Sequence, residues 1–324
     1  MMHVCLVIDR AVPVVNYGGT ERVVTWLAKE LAGLGCRITI IAPSIGIELR
    51  TISEPVIAKT AEEAKNAIPK DADIAHFHGW VPDEIDQHPN WVYTLHGNAA
   101  DPKSLPLRTI CISKDHALRH GKSIVVYNGV DPNESSYPTP KKKNSFLFFS
   151  KIKSRAKGFT EALRLSSKYK FDLVAAGGQR HHIPSVHWYA RSFFSKCTFL
   201  GEVSGQTKFE TFASARALLF PISWEEPFGL VLVESLLSGT PVIATRRGSV
   251  PEIITKEVGE IFTTDSEFEE ASGRIQGKNS DDFIAYARQQ FSSQLMAENY
   301  LTVYDKVVTS RAISWHSENN RQKD

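Results

Sequence analysis

Short apolar, β-branched runs alternate with segments of helical period along almost the whole chain, and that alternation leaves few folds open. Residues 2–8 are apolar on both faces, the pattern of a strand buried in a parallel sheet. A loop with Tyr17-Gly18-Gly19-Thr20 follows. The period then changes: Val23, Val24, Leu27, Leu31 and Leu34 share one helical face, which Gly35 ends. Arg37–Ala42 is the next strand. A strand, a glycine turn, a helix and a strand form the unit of a doubly wound α/β sheet. The loop lacks G-x-G-x-x-G spacing, so no dinucleotide fingerprint is present.

Further strands read at residues 73–77, 91–95, 107–112 and 123–127, each ending in a polar or glycine-bearing tail: HGW, HGN, SKD and NGVD. Ligands of open parallel sheets bind outside the carboxyl ends of the strands, so chemistry is expected on those tails. Residues 131–145, DPNESSYPTPKKKNS, are rich in proline, serine and charge and read as a linker. The alternation then restarts, with strands at 146–149, 171–176, 198–200, 217–222 and 241–245 and helices at 159–169 and after Ser204. Residues 265–308 are helical in pattern and long enough to return across the first domain. The expected division is residues 1–132 as a first Rossmann-like domain, 133–144 as linker, 145–292 as a second Rossmann-like domain, and 293–324 as a crossover helix with a polar tail.

A chain of 324 residues exceeds the roughly 250–300 at which single cores stop growing, in keeping with two domains facing a cleft. Its formal net charge of +2 is too small to argue for nucleic acid. Cys5, Cys36, Cys111 and Cys197 are scattered, without C-x-x-C spacing, and read as thiols of a reducing compartment. The opening MMHVCLVIDR lacks a basic region, and no apolar run reaches a membrane span, so a cytoplasmic location is expected, with peripheral membrane contact possible but not indicated.

Residues 223–234, SWEEPFGLVLVE, set two carboxylates around a proline, a glycine and an apolar run. A helix is expected to begin near Phe228, with Pro227 suited to its first turn and Gly229 leaving the backbone open. The free amides of that turn can receive a hydroxyl or phosphate oxygen. Glu226 and Glu234 then lie about 10 Å apart along the axis, too far to share a proton but suited to an extended ligand. Spacing alone equally allows a helix cap and a solvated face.

The stretch EEPFGLVLVESLLSGTPVIATRRGSVPEII resembles the nucleotide-sugar signature of retaining glycosyltransferases of GT-B architecture, specifically glycosyltransferase family four. YGGTERVVTWLAKELAGLGCRITIIAP, CISKDHALRHG, VVYNGVD and FLGEVSG match the same pattern in order, so the resemblance covers nearly the full length. It implies that Glu226 holds hydroxyls of the transferred sugar with the amides of Phe228, Gly229 and Leu230, and that Glu234 accepts from the ribose. FFSKIKSRAKGF resembles the basic pair that grips the donor diphosphate, with Lys151 where the family has arginine and Lys157 second. Lysine keeps the charge and loses the planar fork; Arg155 or Lys153 can compensate. Gly18 and Gly19 would lie under the diphosphate, His96 would face the donor sugar, and the base would meet largely backbone near Gly178 and Val203.

The implied activity is transfer of a hexosyl group from a nucleoside-diphosphate sugar, UDP favoured over GDP, to an acceptor hydroxyl with retention. It belongs to glycan, glycolipid or small-glycoside synthesis, with no metal or other cofactor. The alternatives are a non-catalytic nucleotide-sugar-binding subunit and a nucleotide-sugar epimerase. The partners are the nucleotide-sugar and a sugar, glycan or small-molecule acceptor, the latter met by the loops at 10–16, 79–88 and 98–106, with Trp80, His88 and Arg108 nearby. Asp71-Ala72-Asp73 spells a D-x-D but precedes a strand and reads as a loop acidic pair. His76 and His78 share a strand face, and His181, His182 and His187 fall in an expected loop; neither set has a convincing metal complement. Lys141–Lys143 reads most simply as a soluble linker edge, with contact to an anionic membrane surface as the minority reading.

Overall fold

The computed structural model describes residues 1–14, 18–80, 89–134 and 144–309. Tyr17, His88, Lys141–Lys143, most of the expected linker and the polar tail lie outside these residues.

In chain order the first part runs β1 (His3–Val7), α1 (Gly19–Gly33), β2 (Arg37–Ala42), α2 (Ile47–Arg50), β3 (Glu54–Ile57), α3 (Ala61–Asn66), β4 (Ile74–Phe77), β5 (Trp91–Leu95), β6 (Thr109–Cys111), α4 (Lys114–Arg119) and β7 (Ile124–Val125). The second runs β8 (Ser145–Phe149), α5 (Phe159–Tyr169), β9 (Asp172–Ala176), α6 (Val186–Ser192), β10 (Cys197–Gly201), α7 (Gly205–Ser214), β11 (Ala217–Phe220), α8 (Leu230–Leu237), β12 (Val242–Thr245), α9 (Val250–Ile253), β13 (Gly259–Phe262), α10 (Asp265–Arg274), α11 (Ser280–Phe291) and α12 (Ser293–Thr309). Both sheets are wholly parallel. Their orders are β3-β2-β1-β4-β5-β6-β7 and β10-β9-β8-β11-β12-β13, the doubly wound order twice over.

The chain divides into two compact units. The first comprises Met1–Ile112, His120–Val126 and the chain from Ser293; the second comprises Ser113–Arg119 and Tyr127–Ser292. In the first, Cys5, Val7, Ile41, Phe77, Tyr93 and Leu95 pack one side of the sheet. α12 closes that unit from the far end of the sequence. Tyr300 and Tyr304 are fully buried, and their hydroxyls meet Thr94 Oγ1 (3.0 Å) and His76 Nδ1 (2.6 Å). Ser293 Oγ donates to Glu30 Oε1 at 2.6 Å on α1. In the second unit, Phe146, Phe148, Phe159, Leu163, Phe262 and Phe268 form the core on the α5 and α10 side.

Several elements differ from the sequence reading. Leu34 falls just past α1 and is 42% exposed, because Gly35, at φ 86°, turns the chain there. SKD is no loose tail. It opens α4, where the Glu252 carboxylate accepts from the amides of Lys114 (2.8 Å) and Asp115 (2.6 Å), satisfying the orphan donors of the first turn. His181 and His182 lie in a 3-10 turn and His187 in α6 instead of in a loop. No helix among the described residues is long and apolar enough to cross a membrane.

Candidate active site

In the second sheet the strand order reverses between β8 and β11, and a crevice at the carboxyl ends of strands is expected where order reverses. The segment after β8 brings Lys151 and Lys157; the segment after β11 brings Trp224 and Glu226. Lys157 ends a 3-10 turn, Arg155–Lys157. The Ser223 amide donates to Ala156 O at 3.0 Å and ties the two segments together.

Glu226 is 7% exposed. Its Oε2 accepts from Lys157 Nζ at 2.8 Å and from Trp224 Nε1 at 3.0 Å, and the lysine nitrogen lies 4.2 Å from the centre of the Trp224 ring. A carboxylate this buried needs such donors, and the indole both supplies one and steadies the ammonium. The neighbouring Glu225 is spent otherwise, accepting from the Gly248 amide (2.6 Å) and pairing with Arg247 (3.0 Å). The loop is pinned further by Ser249, whose amide donates to Glu226 O (2.9 Å) and hydroxyl to Phe228 O (2.8 Å), and by Ser113 Oγ, which donates to Pro227 O (2.7 Å).

α8 begins at Leu230, two residues later than its sequence suggests. Gly229 stands at the cap with φ 86°, a conformation that L side chains rarely adopt, so Pro227 and Phe228 precede the helix and do not form its first turn. The cap offers no side chain and the first turn holds no acid, which leaves the leading amides of α8 without side-chain caps. Phe228 is buried, with its ring near those of Tyr127 and Phe291, and Leu230 is half-buried.

Glu234 is 3% exposed inside a helix otherwise built of LVLV and SLL. Lys208 Nζ on α7 meets its Oε1 at 3.0 Å. The sequence reading missed Lys208 and Trp224. The signal for the first was available: a carboxylate in a helix apolar all round needs a buried cation from a neighbouring element. Glu226 and Glu234 are thus held by different lysines. Lys151 is exposed and joins neither pair among the described contacts. Val203 is half-buried between β10 and α7, and Gly178 makes an antiparallel bridge to Gly201.

In the first unit, Gly18 caps α1 with extended backbone and Gly19 is its first residue. The carboxylate of Glu21 folds back over Gly18, 2.3 Å from where a Cβ would stand. His96 follows β5, and its Nε2 lies 2.9 Å from His78 Nδ1. The rings of His78 and His76 are 3.8 Å apart, and His76 Nε2 meets Thr94 Oγ1 at 2.7 Å. Burial depresses the pKa of both His76 and His78 well below the usual imidazole range, so both are neutral at pH 7. His76 is a structural residue of the core, and His78 is a neighbour of His96 that the sequence reading set aside.

Asp71 and Asp73 are occupied locally: Asp71 pairs with Arg37 at 2.6 Å, and Asp73 Oδ2 accepts from the His3 amide at 2.7 Å. Among the described residues no group of three or more His, Cys, Asp or Glu side chains is arranged to hold a metal ion.

A family model described as glycosyl transferases group 1 matches residues 130–290. An uncharacterized glycosyltransferase of Methanocaldococcus jannaschii is 28% identical over 158 residues, 43% of this chain and 40% of that protein. The chain therefore aligns with well under two thirds of that relative's length. The crystal structure of AviGT4, a glycosyltransferase involved in avilamycin A biosynthesis, is similar with a TM-score of 0.79 and 26% identity over 96% of this chain and 99% of that one. Anabaena HepE, solved in complex with UDP and glucose, shares the fold with a TM-score of 0.71 at 16% identity, over 94% of this chain and 100% of that one. With the family segment lying within its second unit and two sheets of Rossmann order as its GT-B fold, the chain belongs to the glycosyl transferases group 1.

Proposed function

We propose that this chain is a retaining, metal-independent glycosyltransferase of the cytoplasm. It moves a hexosyl group from a nucleoside-diphosphate sugar to an acceptor hydroxyl in glycan, glycolipid or small-glycoside synthesis. The observation that carries the reading is the Lys157–Glu226–Trp224 cluster at the switch point of the second sheet, beside uncapped amides of α8. UDP is favoured over GDP as the nucleotide; HepE, of the same fold, has been solved with UDP.

In this reading the C1–O bond to the β-phosphate breaks, the acceptor oxygen bonds C1 on the same face, and its proton passes to the departing phosphate oxygen. Lys157, with Lys151 as a second cation, stabilises the charge on the leaving diphosphate. Glu226 accepts from sugar hydroxyls, with Lys157 Nζ hydrogen-bonded to its Oε2. Glu234, held by Lys208, accepts from the ribose. A preorganised donor to developing charge is worth about 10²–10³ in rate.

The test is product formation from a panel of UDP- and GDP-sugars with glycan, glycolipid and small-molecule acceptors, the anomeric configuration being read by NMR. Lys157→Ala and Glu226→Ala are expected to lose about 10²-fold or more in kcat while keeping their far-UV spectrum. His96→Ala is the third variant, since the resemblance assigns it to the sugar. Near-normal rates in the first two would remove the site. Donor bound without turnover would make the chain a binding subunit, and interconverted free donor would make it an epimerase. A chelator is expected to leave the rate unchanged.

A further inference from the structure

The second unit carries a surface that donor chemistry does not use. α6 turns Trp188 inward, where it packs with Phe199 against the core cluster. Its other side, continued past its end, is apolar and bare: Val186 is 87% exposed, Phe193 59% and Phe194 93%. Val186, Tyr189 and Phe193 follow the i, i+3, i+7 spacing of one helical face, and the rings of Tyr189 and Phe193 are 5.3 Å apart. Large exposed rings grouped in this way mark an interaction site, since isolated apolar residues and not patches are the norm on a surface.

The stretch of chain that carries the rings is basic. Between Leu173 and Gly201 the chain holds no aspartate or glutamate, while Arg180, Arg191 and Lys196 stand among the rings. The Arg180 guanidinium lies 4.5 Å from the ring centre of Phe193 and 4.9 Å from that of Phe199; Arg191 lies 5.5 Å from that of Trp188. Lys196 pairs with Asp172 at 3.9 Å across two largely exposed side chains, whereas Arg180 and Arg191 are in no ion pair among the described residues. Rings flanked by Arg180 and Arg191 match a surface whose phosphates meet the cations and whose acyl boundary takes the rings. A second copy of this chain fits worse, because a two-fold contact through this face sets its cations against the same cations.

We propose that the face formed by α6 and residues 193–196 docks the second unit on an anionic phospholipid surface. The test is co-sedimentation of the full chain with phosphatidylcholine–phosphatidylglycerol vesicles, against pure phosphatidylcholine as control. Binding is expected only to the anionic vesicles and is weakened by salt. Phe193→Ser/Phe194→Ser removes the inserted rings. Arg191→Glu/Lys196→Glu reverses two cations and is expected to weaken binding about twentyfold or more, taking about fivefold per cation. The altered side chains are exposed or partly exposed, and an unchanged urea midpoint checks that each variant is folded. Equal binding to neutral vesicles, no binding at low salt, or undiminished binding by both variants overturns the proposal. Self-association that the Phe193→Ser/Phe194→Ser variant abolishes, with no vesicle binding, gives the face to a second copy and overturns it equally.

Discussion

Replacing Lys208 with methionine removes one half of a buried ion pair and leaves the other in place. Nζ and Oε1 are 3.0 Å apart, and the two side chains are 9% and 5% exposed. At an effective dielectric of about 20 the attraction across that distance is about 5–6 kcal/mol, of the same order as the cost of taking both ions out of water. The intact pair therefore adds little net stability, but methionine leaves the Glu234 carboxylate buried without its ammonium. The expected loss is about 3–5 kcal/mol from the second unit. Glu234→Gln alone strands the ammonium and is expected to cost a similar amount, whereas Lys208→Met/Glu234→Gln removes both charges and recovers most of the loss. Urea titration read by hydrogen exchange of the α8 amides isolates this unit from the other. A loss below about 1 kcal/mol in the Lys208→Met variant, or strict additivity of the two single changes, would refute the buried-pair argument.

Acid should destabilise the first unit through His76 and His78. Their folded pKa values lie below the unfolded value of 6.5, so their contribution is full above that pH and falls as protons bind the unfolded chain. Two such groups give a slope of about 2.7 kcal/mol per pH unit below about pH 6, and His76→Gln should roughly halve it; an unchanged slope would place the titration elsewhere. Gly248→Ala puts a Cβ 2.3 Å from Glu226 O and 2.4 Å from its amide nitrogen, at a φ of 53°. It should displace Glu226 and lower transfer more than a substitution at Gly273, which has open space; equal effects would contradict the crowding. Burial raises the thiol pKa of Cys5 and Cys36, and that of Cys197 to about 12, but only Cys36 and not Cys5, Cys111 or Cys197 is part-exposed. One fast thiol is therefore expected with an aromatic disulfide reagent, and Cys36→Ser should abolish it.

Much of the fold was legible because its elements carry their own period. β2, β5 and α5 lie on the residues that the apolar pattern marks, since alternation of burial and a helical stripe are local consequences of sequence. The elements that escaped have weak local signals. β3, Glu54-Pro55-Val56-Ile57, is a largely exposed edge strand with a proline, a residue that edges tolerate and sheet centres do not. α4 takes its start from a glutamate more than a hundred residues away, which no window of sequence contains.

The same division runs through the site. Sequence by itself determined that Glu226 and Glu234 flank a helix start after a strand of the second α/β repeat, because spacing and turn residues are written along the chain. Only tertiary structure decided what each carboxylate touches. Lys157 and Trp224 close on Glu226 because the parallel sheet sets β8 beside β11. Lys208 reaches Glu234 because α7 packs on α8. Where Glu226 sits also depends on Gly229 in the left-handed region, which holds α8 back to Leu230 and leaves the EEPFG loop free to be pinned by Ser249 and Ser113. A carboxylate's partners are set by which elements pack together, and packing is a long-range choice that the local pattern permits without specifying.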